Sequence, residues 1–277
     1  MTATTGLPEL RRQIRRMEGR LGGELGEDDS GVPVLSFGHA PLDERFEPGG
    51  LTPGAHQAAG QGGAPFAFVC TMLARLSVVR PAARVLLVQE AGALRETGGV
   101  YGPGLQALGL DPSILALVGV RTGAEALRAG DEAMKSGAAA AVVIELCDGE
   151  KLADLSLTRR FNLSAERSGA FLFLVTPTLE ATSAALTRWR VASAPTVGRK
   201  RRLGAPAFDL TLTRNRLGPL GQWTLEWNGH ERSFRPIDAP DAAQALPAPV
   251  VPPPAHRPAA PQRAGAGGTA GAYRQTG

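Results

Sequence analysis

The glycine-rich stretch GQGGAPF, residues 60–66, has the outline of a phosphate-binding loop. A working loop of this kind cradles phosphates with backbone N–H groups, reaches them with a lysine and holds Mg²⁺ through a Ser or Thr hydroxyl. Here Pro65 and Phe66 stand where the lysine and the hydroxyl are needed, and proline also removes an N–H from the cradle. The glycines that can shape the turn are Gly60, Gly62 and Gly63. The stretch predicts a degenerate loop, and we expect no cofactor.

The apolar run AAAVVIELC, residues 139–147, is typical of a buried parallel strand. Glu145 lies near the end of this run, and Asp148 comes directly after it. The carboxyl end of such a strand is where α/β proteins bind their ligands. Residual Mg²⁺ or nucleotide binding is therefore one interpretation, and capping of the following helix is the other. We favour the cap, because the loop opposite lacks its cation.

Other residues that could support catalysis are scattered. None of the four histidines has a partner at metal-ligand spacing; they are His39, His56, His230 and His256. No serine lies in a nucleophile-elbow pattern. Cys70 and Cys147 lie in apolar segments, which favours reduced buried thiols over a disulfide. We predict no catalytic residue, no metal site and no enzymatic activity.

Basic residues cluster towards the C-terminal third of the chain. The glycine-flanked run of four bases consists of Arg199, Lys200, Arg201 and Arg202. Phosphate contact and a solubilising loop explain this run equally well, since no aromatic residues are interleaved with it. A wider basic face would add Arg188, Arg190, Arg214 and Arg216. Any DNA contact is expected to be weak or indirect.

An amphipathic helix is predicted at the N-terminus, residues 1–22. Its apolar positions recur at steps of three and four, and they are Leu7, Leu10, Ile14, Met17 and Leu21. The acidic, glycine-rich linker 23–31 separates this stripe from the body of the chain. Packing on the chain's own body is the alternative, but a tethered stripe favours a partner-binding role.

The body, residues 32–236, alternates apolar strands with helical patterns. Strands are predicted at 32–38, 54–60, 84–90, 139–147 and 170–177. Helices are predicted at 65–80, 124–136 and 151–169, the last two ending at glycines. This order is typical of an α/β fold with a mainly parallel central sheet and helices on both faces. After residue 187 the pattern has a period of two, which predicts an antiparallel C-terminal extension at the sheet edge.

The flanks and the composition set further expectations. The tail, residues 237–277, is rich in Pro, Ala and Gly and is predicted to be disordered. It is either inert or a partner-binding segment. The net charge is +4, the two cysteines indicate no disulfide framework, and no signal peptide or membrane span is recognisable. We expect a cytoplasmic protein that does not contact membranes.

Taken in order, residues 7–235 resemble the RecA-like recombinase family and, within it, the ImuA family. Residues 35–60 are similar to the strand, turn and glycines that lead into the recombinase loop. Residues 84–94 are similar to the strand that carries the catalytic glutamate, a position that falls on Ala91, beside Glu90. In the longest similar segment, the Walker B aspartate position is Glu145. The resemblance thus implies a RecA-like core that has lost the groups for ATP hydrolysis.

The resemblance also implies a function in DNA repair. Proteins of the ImuA family are understood to serve damage-induced (SOS) mutagenesis and translesion synthesis. Their partners are an inactive Y-family polymerase homologue (ImuB-like) and an error-prone C-family DNA polymerase, and RecA or a second copy are further candidates. The implied role is a non-catalytic adaptor. The alternatives are an ATP-binding recombinase-type ATPase with an atypical loop and a SulA-type cell-division inhibitor.

Overall fold

The computed structural model of the protein describes residues 33–147, 153–179, 182–196 and 205–237. Several of the predicted features lie outside these described residues: the N-terminal helix with its stripe, the linker, Asp148, the run of four bases and the tail beyond Ile237. Among the described residues, no helix is long and apolar enough to cross a membrane.

The described residues form nine strands and six α-helices. The strands are β1 Gly54–Ala59, β2 Val85–Glu90, β3 Leu115–Val120, β4 Ala141–Glu145, β5 Phe171–Thr176, β6 Thr187–Ser193, β7 Ala207–Asn215, β8 Gly221–Asn228 and β9 Ser233–Pro236. The helices are α1 Ala40–Asp43, α2 Ala64–Val79, α3 Ala91–Thr97, α4 Gly102–Ala107, α5 Gly123–Ser136 and α6 Leu155–Ser168, with a 3₁₀ turn at Pro112–Ile114.

All nine strands form one sheet in the order β3-β2-β4-β5-β1-β6-β7-β8-β9. Neighbours from β3 to β6 are parallel, and neighbours from β6 to β9 are antiparallel. This confirms the predicted α/β class, with its mainly parallel sheet and antiparallel C-terminal extension, and is consistent with a RecA-like core. One detail differs from the prediction. Strand β6 pairs with β1 in parallel, and the antiparallel pairing begins between β6 and β7.

The central strands are mostly apolar because both faces of the sheet are covered. Every residue of β1, β4 and β5 is buried. One face packs on α2 in a core that includes Phe68, Met72 and Leu76. The other packs on α5 and α6 in a core that includes Leu127 and Phe161. Burial on both sides explains why these strands appear as continuous apolar runs in the sequence.

The antiparallel strands bury only one face, as their period of two predicts. Aromatic side chains on that face pack on α2: the ring centroid of Trp189 is 5.6 Å from that of Phe68. Phe234 on β9 continues the cluster, with its ring centroid 4.8 Å from that of Trp227. These contacts fix the extension to the parallel core.

Local signals set the ends of the two helices on the second face. The Thr122 hydroxyl accepts the Glu125 N–H at the start of α5, and the Asp154 carboxylate accepts the Leu157 N–H at the start of α6. Both helices end at glycines with positive φ, +66° at Gly137 and +65° at Gly169, as predicted.

Three segments differ from the sequence prediction. Residues 33–38, the described part of the strand predicted at 32–38, form no continuous strand, although Leu35 bridges to Leu51. The reason is Asp43, whose carboxylate accepts the Phe37 and His39 N–H groups at 2.7 and 3.1 Å and so turns the chain. Strands β3 and β9, in contrast, were not predicted. Strand β3 is an edge strand, and the Leu117 side chain on it is 57% exposed.

Candidate functional site at the carboxyl edge of the parallel strands

The register of the sheet brings the predicted site residues to one edge. Ala59, the last residue of β1, pairs with Thr176 at the end of β5. In turn, Glu145 at the end of β4 pairs with Gln89 on β2. The loop 60–63 leaves this edge and enters α2. The topology therefore assembles the loop and the carboxylates where parallel α/β sheets bind ligands.

Gly60 is required by packing within the protein. A Cβ atom at this position would lie 2.0 Å from the Val191 carbonyl oxygen on β6. The Gly60 N–H, one of the groups that a phosphate cradle would use, points instead to the Thr176 carbonyl oxygen at 3.3 Å. Gly62 turns the chain with a φ of +65°, and Gly63 leads into α2. The three glycines thus shape a tight turn.

The positions of the lysine and the hydroxyl are filled by apolar side chains that face the protein. Pro65 is buried in the first turn of α2, and its Cγ atom lies 3.3 Å from where a Cβ on Gly60 would stand. Phe66 is half-buried and packs against the core beneath α2. Proline fits the first turn of a helix because no helical hydrogen bond is needed there. Neither side chain can neutralise or coordinate a phosphate.

The Glu145 carboxylate is 3% exposed and is satisfied by neighbouring side chains. Its Oε2 accepts the Gln89 amide at 2.7 Å, and its Oε1 accepts the Thr97 hydroxyl at 3.3 Å. Burial raises the pKa of Glu145, and the two hydrogen bonds oppose that shift. The interpretation of Glu145 as a cap for the following helix is wrong, because Asp154 caps α6.

Glu90, beside the position of the recombinase catalytic glutamate, also bonds internally. It is 8% exposed, and its Oε2 accepts the Cys147 N–H at 2.9 Å. This bond ties the ends of β2 and β4 together. Ala91, which follows, begins α3. The carboxylate nearest to the catalytic position is therefore part of the connection between two strands.

Arg188 supplies a positive charge near this edge, but it too has protein partners. Its Nε donates to the side-chain Oε1 of Gln57 at 3.0 Å and its Nη2 to the main-chain carbonyl of Leu179 at 2.7 Å. The Gln57 amide in turn donates to the Thr176 hydroxyl at 3.0 Å. Arg214 donates to the Ser183 carbonyl in the same connection between β5 and β6. Of the arginines predicted to widen a basic face, these two hold a loop, while Arg190 and Arg216 are exposed.

His56 is a core residue. Its Nδ1 lies 2.9 Å from the Thr187 hydroxyl and its Nε2 lies 2.9 Å from the Thr52 carbonyl, while Phe171 and Phe173 flank the ring. Burial lowers the pKa of His56 to about 4, so the ring is neutral at pH 7. Across the described parts of the chain, no three His, Cys, Asp or Glu side chains are grouped as a metal site.

The network at this edge includes residues that sequence reasoning missed. Gln57, Gln89 and Thr97 were not candidates, although the first two are polar residues within apolar strands. Such residues are rare in buried strands unless they have hydrogen-bond partners. That signal was available, but the partners could not be identified without the sheet order.

These observations define a class: an α/β protein with a mainly parallel sheet, consistent with a RecA-like core, in which the glycine-rich loop after β1 is a packed turn. Two curated relatives refine it. Protein ImuA of Caulobacter vibrioides (strain NA1000 / CB15N) is 32% identical over 219 residues, which cover 70% of this chain and 84% of that protein. Protein ImuA of Caulobacter vibrioides (strain ATCC 19089 / CIP 103742 / CB 15) matches to the same extent. No family model matches the chain. The chain belongs to the ImuA family.

Proposed function

We propose that the protein is a non-catalytic, RecA-like adaptor in damage-induced mutagenesis and translesion DNA synthesis. Membership of the ImuA family supports a role in the mutagenic response to DNA damage. The proposed partners are an ImuB-like, inactive Y-family polymerase homologue and an error-prone C-family DNA polymerase. The protein binds these partners and performs no chemistry of its own.

The observation that carries the proposal is the internal pairing at the carboxyl edge. Both oxygens of Glu145 accept hydrogen bonds from the protein, and Glu90 and Arg188 are likewise engaged. A Mg²⁺–nucleotide complex would have to displace such bonds. Leaving a buried donor such as the Gln89 amide unpaired costs about 1–3 kcal/mol. With no lysine in residues 60–66, no cationic side chain of the loop offsets that cost.

Protein contact is assigned to the N-terminal stripe. The acidic linker tethers this stripe to the body, and an apolar stripe on a tethered helix is the usual ligand of a partner's groove. Aspartate at Ile14 or Met17 places a charge in such a contact and is expected to abolish it. The body does not depend on this helix in the proposal, so its melting temperature stays within about 2 °C.

The test is co-purification of the tagged full-length protein from damage-induced cells. Wild type is expected to retain the polymerase partners, whereas Ile14→Asp and Met17→Asp lose them. Arg16→Gln is the matched control, because it changes the net charge by the same amount on the face of the predicted helix opposite the stripe. A lower melting temperature in the stripe variants would show that the helix belongs to the core. Retention of the cell-division protein FtsZ in place of a polymerase would assign the protein to the SulA type.

A further inference from the structure

The exposed side of α6 carries a groove that is separate from the carboxyl edge. Its volume is about 790 Å³, and its lining includes Asp154, Leu155, Arg159, Arg160, Leu163 and Thr182. None of these residues takes part in the hydrogen bonds of Glu145, Glu90 or Arg188. The buried side of the same helix, with Phe161 and Ala165, faces the sheet.

Two leucines of the groove face solvent. Leu155 is 37% exposed and Leu163 is 52% exposed. They are eight residues apart, and Arg159 lies midway, so the three side chains share one face of α6. A helix rises 1.5 Å per residue, which separates the two leucines by about 12 Å. A row of this length matches two turns of a second helix.

The groove carries both positive and negative side chains, and they are unevenly distributed along it. Arg159 is exposed, and none of the hydrogen bonds or ion pairs within the described residues engages its guanidinium. Arg160 lies beside it, with Nη2 3.1 Å from Asp131 Oδ2, an oxygen that also contacts Lys135 Nζ at 2.9 Å. The Asp154 carboxylate stands at the amino end of the helix. The groove is therefore positive along its length and negative at one end.

We propose that this groove binds an acidic amphipathic helix of a partner protein. Apolar residues of that helix pack on Leu155 and Leu163, and one of its carboxylates pairs with Arg159. This is the helix-in-groove mode of recognition, in which apolar anchors recur at one-turn and two-turn spacings. The arginines select the charge of the partner and speed its association.

The composition of the groove favours a protein over a nucleic acid. Single-stranded nucleic acids bind where bases stack on aromatic side chains, and none of the described lining residues is aromatic. The chain's own acidic linker, residues 23–31, is a poorer occupant than a partner because its glycines disfavour a helix.

The proposal is independent of the assignment of the N-terminal stripe, and a defined probe tests it. The probe is a fluorescein-labelled 14-residue peptide with leucines at helical spacing and glutamates on either side of them. Fluorescence anisotropy measures its affinity for the full-length protein. Leu163→Glu and Arg159→Glu are expected to weaken binding at least tenfold. Leu220→Glu is the matched control, since Leu220 is 55% exposed and lies outside the groove, and it leaves the affinity unchanged.

Four outcomes would overturn the proposal. The first is equal binding by the Leu163→Glu and Leu220→Glu variants. The second is equal binding of a scrambled peptide with no apolar face. The third is binding of a 20-nucleotide oligothymidylate that depends on Arg159, in the absence of peptide binding. The fourth is equally tight binding of a peptide of residues 23–31, which would assign the groove to the chain's own linker. Circular dichroism of each variant confirms that it is folded.

Discussion

The carboxyl edge of the parallel strands and the groove on α6 use their charged side chains in opposite ways. At the edge, Glu145, Glu90 and Arg188 are bonded to other groups of the protein. In the groove, Arg159 and two leucines are left to solvent. Groups that already hydrogen-bond within a protein contribute little net binding energy to a ligand, because their internal bonds must first be broken. Exposed groups give up only hydrogen bonds to water. The charged side chains at the carboxyl edge thus stabilise the fold, whereas the exposed side chains of the groove are accessible to the proposed partner helix.

The largest expected effect concerns His56, a buried polar group on the strand that leads into the loop. Its folded-state pKa is about 4, against an unperturbed 6.5. Well above pH 6.5 the ring is neutral in both states. As the pH falls from 6.5 to 4, the unfolded chain takes up a proton and the folded chain does not, so stability is lost. The loss reaches about 3 kcal/mol at pH 4.

Urea unfolding of wild type and His56→Gln at pH 7 and pH 4.5 measures this effect. Carboxylates such as Asp43 titrate in both proteins and cancel in the comparison. The variant is expected to lose less stability than wild type on acidification. Parallel losses in the two proteins would mean that His56 is not a neutral core residue.

The next largest effect on the free energy of unfolding is expected at Gly60. Gly60→Ala places a Cβ atom 2.0 Å from the Val191 carbonyl oxygen, so β1 and β6 must shift. We expect a loss of about 2–3 kcal/mol in urea unfolding. Gly63→Ala is the control, because nothing lies within 4 Å of its Cβ position, and it should stay within about 0.5 kcal/mol. Equal losses would show that Gly60 has no special packing role.

Glu145→Ala is expected to cost about 1–2 kcal/mol. The variant leaves the Gln89 amide without its acceptor and removes a partner of the Thr97 hydroxyl. Thermal unfolding is the measurement. A buried carboxylate kept for ligand binding often destabilises the fold, so its removal stabilises the protein. A rise in melting temperature would therefore indicate that Glu145 is kept for ligand binding and does not stabilise the fold.

The smallest effect on stability belongs to the groove. Leu163→Glu and Arg159→Glu are expected to change the free energy of unfolding by less than about 0.5 kcal/mol, since both side chains are exposed. Urea unfolding of these two variants and of Glu145→Ala under the same conditions measures the difference in stability directly. A loss as large as that of Glu145→Ala would show that the groove residues stabilise the fold.

Much of the fold could be predicted from the sequence because the pattern of apolar residues reflects which faces of a strand or helix are buried. Strands β2, β4 and β5 are continuous apolar runs, and β7 and β8 alternate. Strand β3 was missed because a short apolar run such as LALVGV does not reveal its partner, which lies about thirty residues earlier on β2. Strand β9 was missed because proline is unusual in strands. Residues 32–38 look like a strand, but the Asp43 carboxylate accepts the N–H groups of Phe37 and His39 and turns the chain there.

The candidate site was predictable only in part. The loss of lysine and hydroxyl at Pro65 and Phe66 can be read directly from the sequence. The partners of Glu145 are 56 and 48 residues away along the chain, so only the sheet order brings them together. Arg188 and Arg214 alternate with apolar residues like any exposed basic face. Their bonds to main-chain carbonyls depend on the path of the loop after β5, which no local pattern encodes.

Nucleotide titration monitored by thermal unfolding tests the central claim most directly. A ligand present at about 100 times its Kd stabilises a folded protein by about 2.7 kcal/mol, which displaces the melting temperature by several degrees. With Mg²⁺ and ATP raised to several millimolar, the melting temperature of the full-length protein is expected to stay constant. A saturable rise that Glu145→Ala abolishes would contradict the account, because it would place a nucleotide at the edge that the protein's own side chains fill.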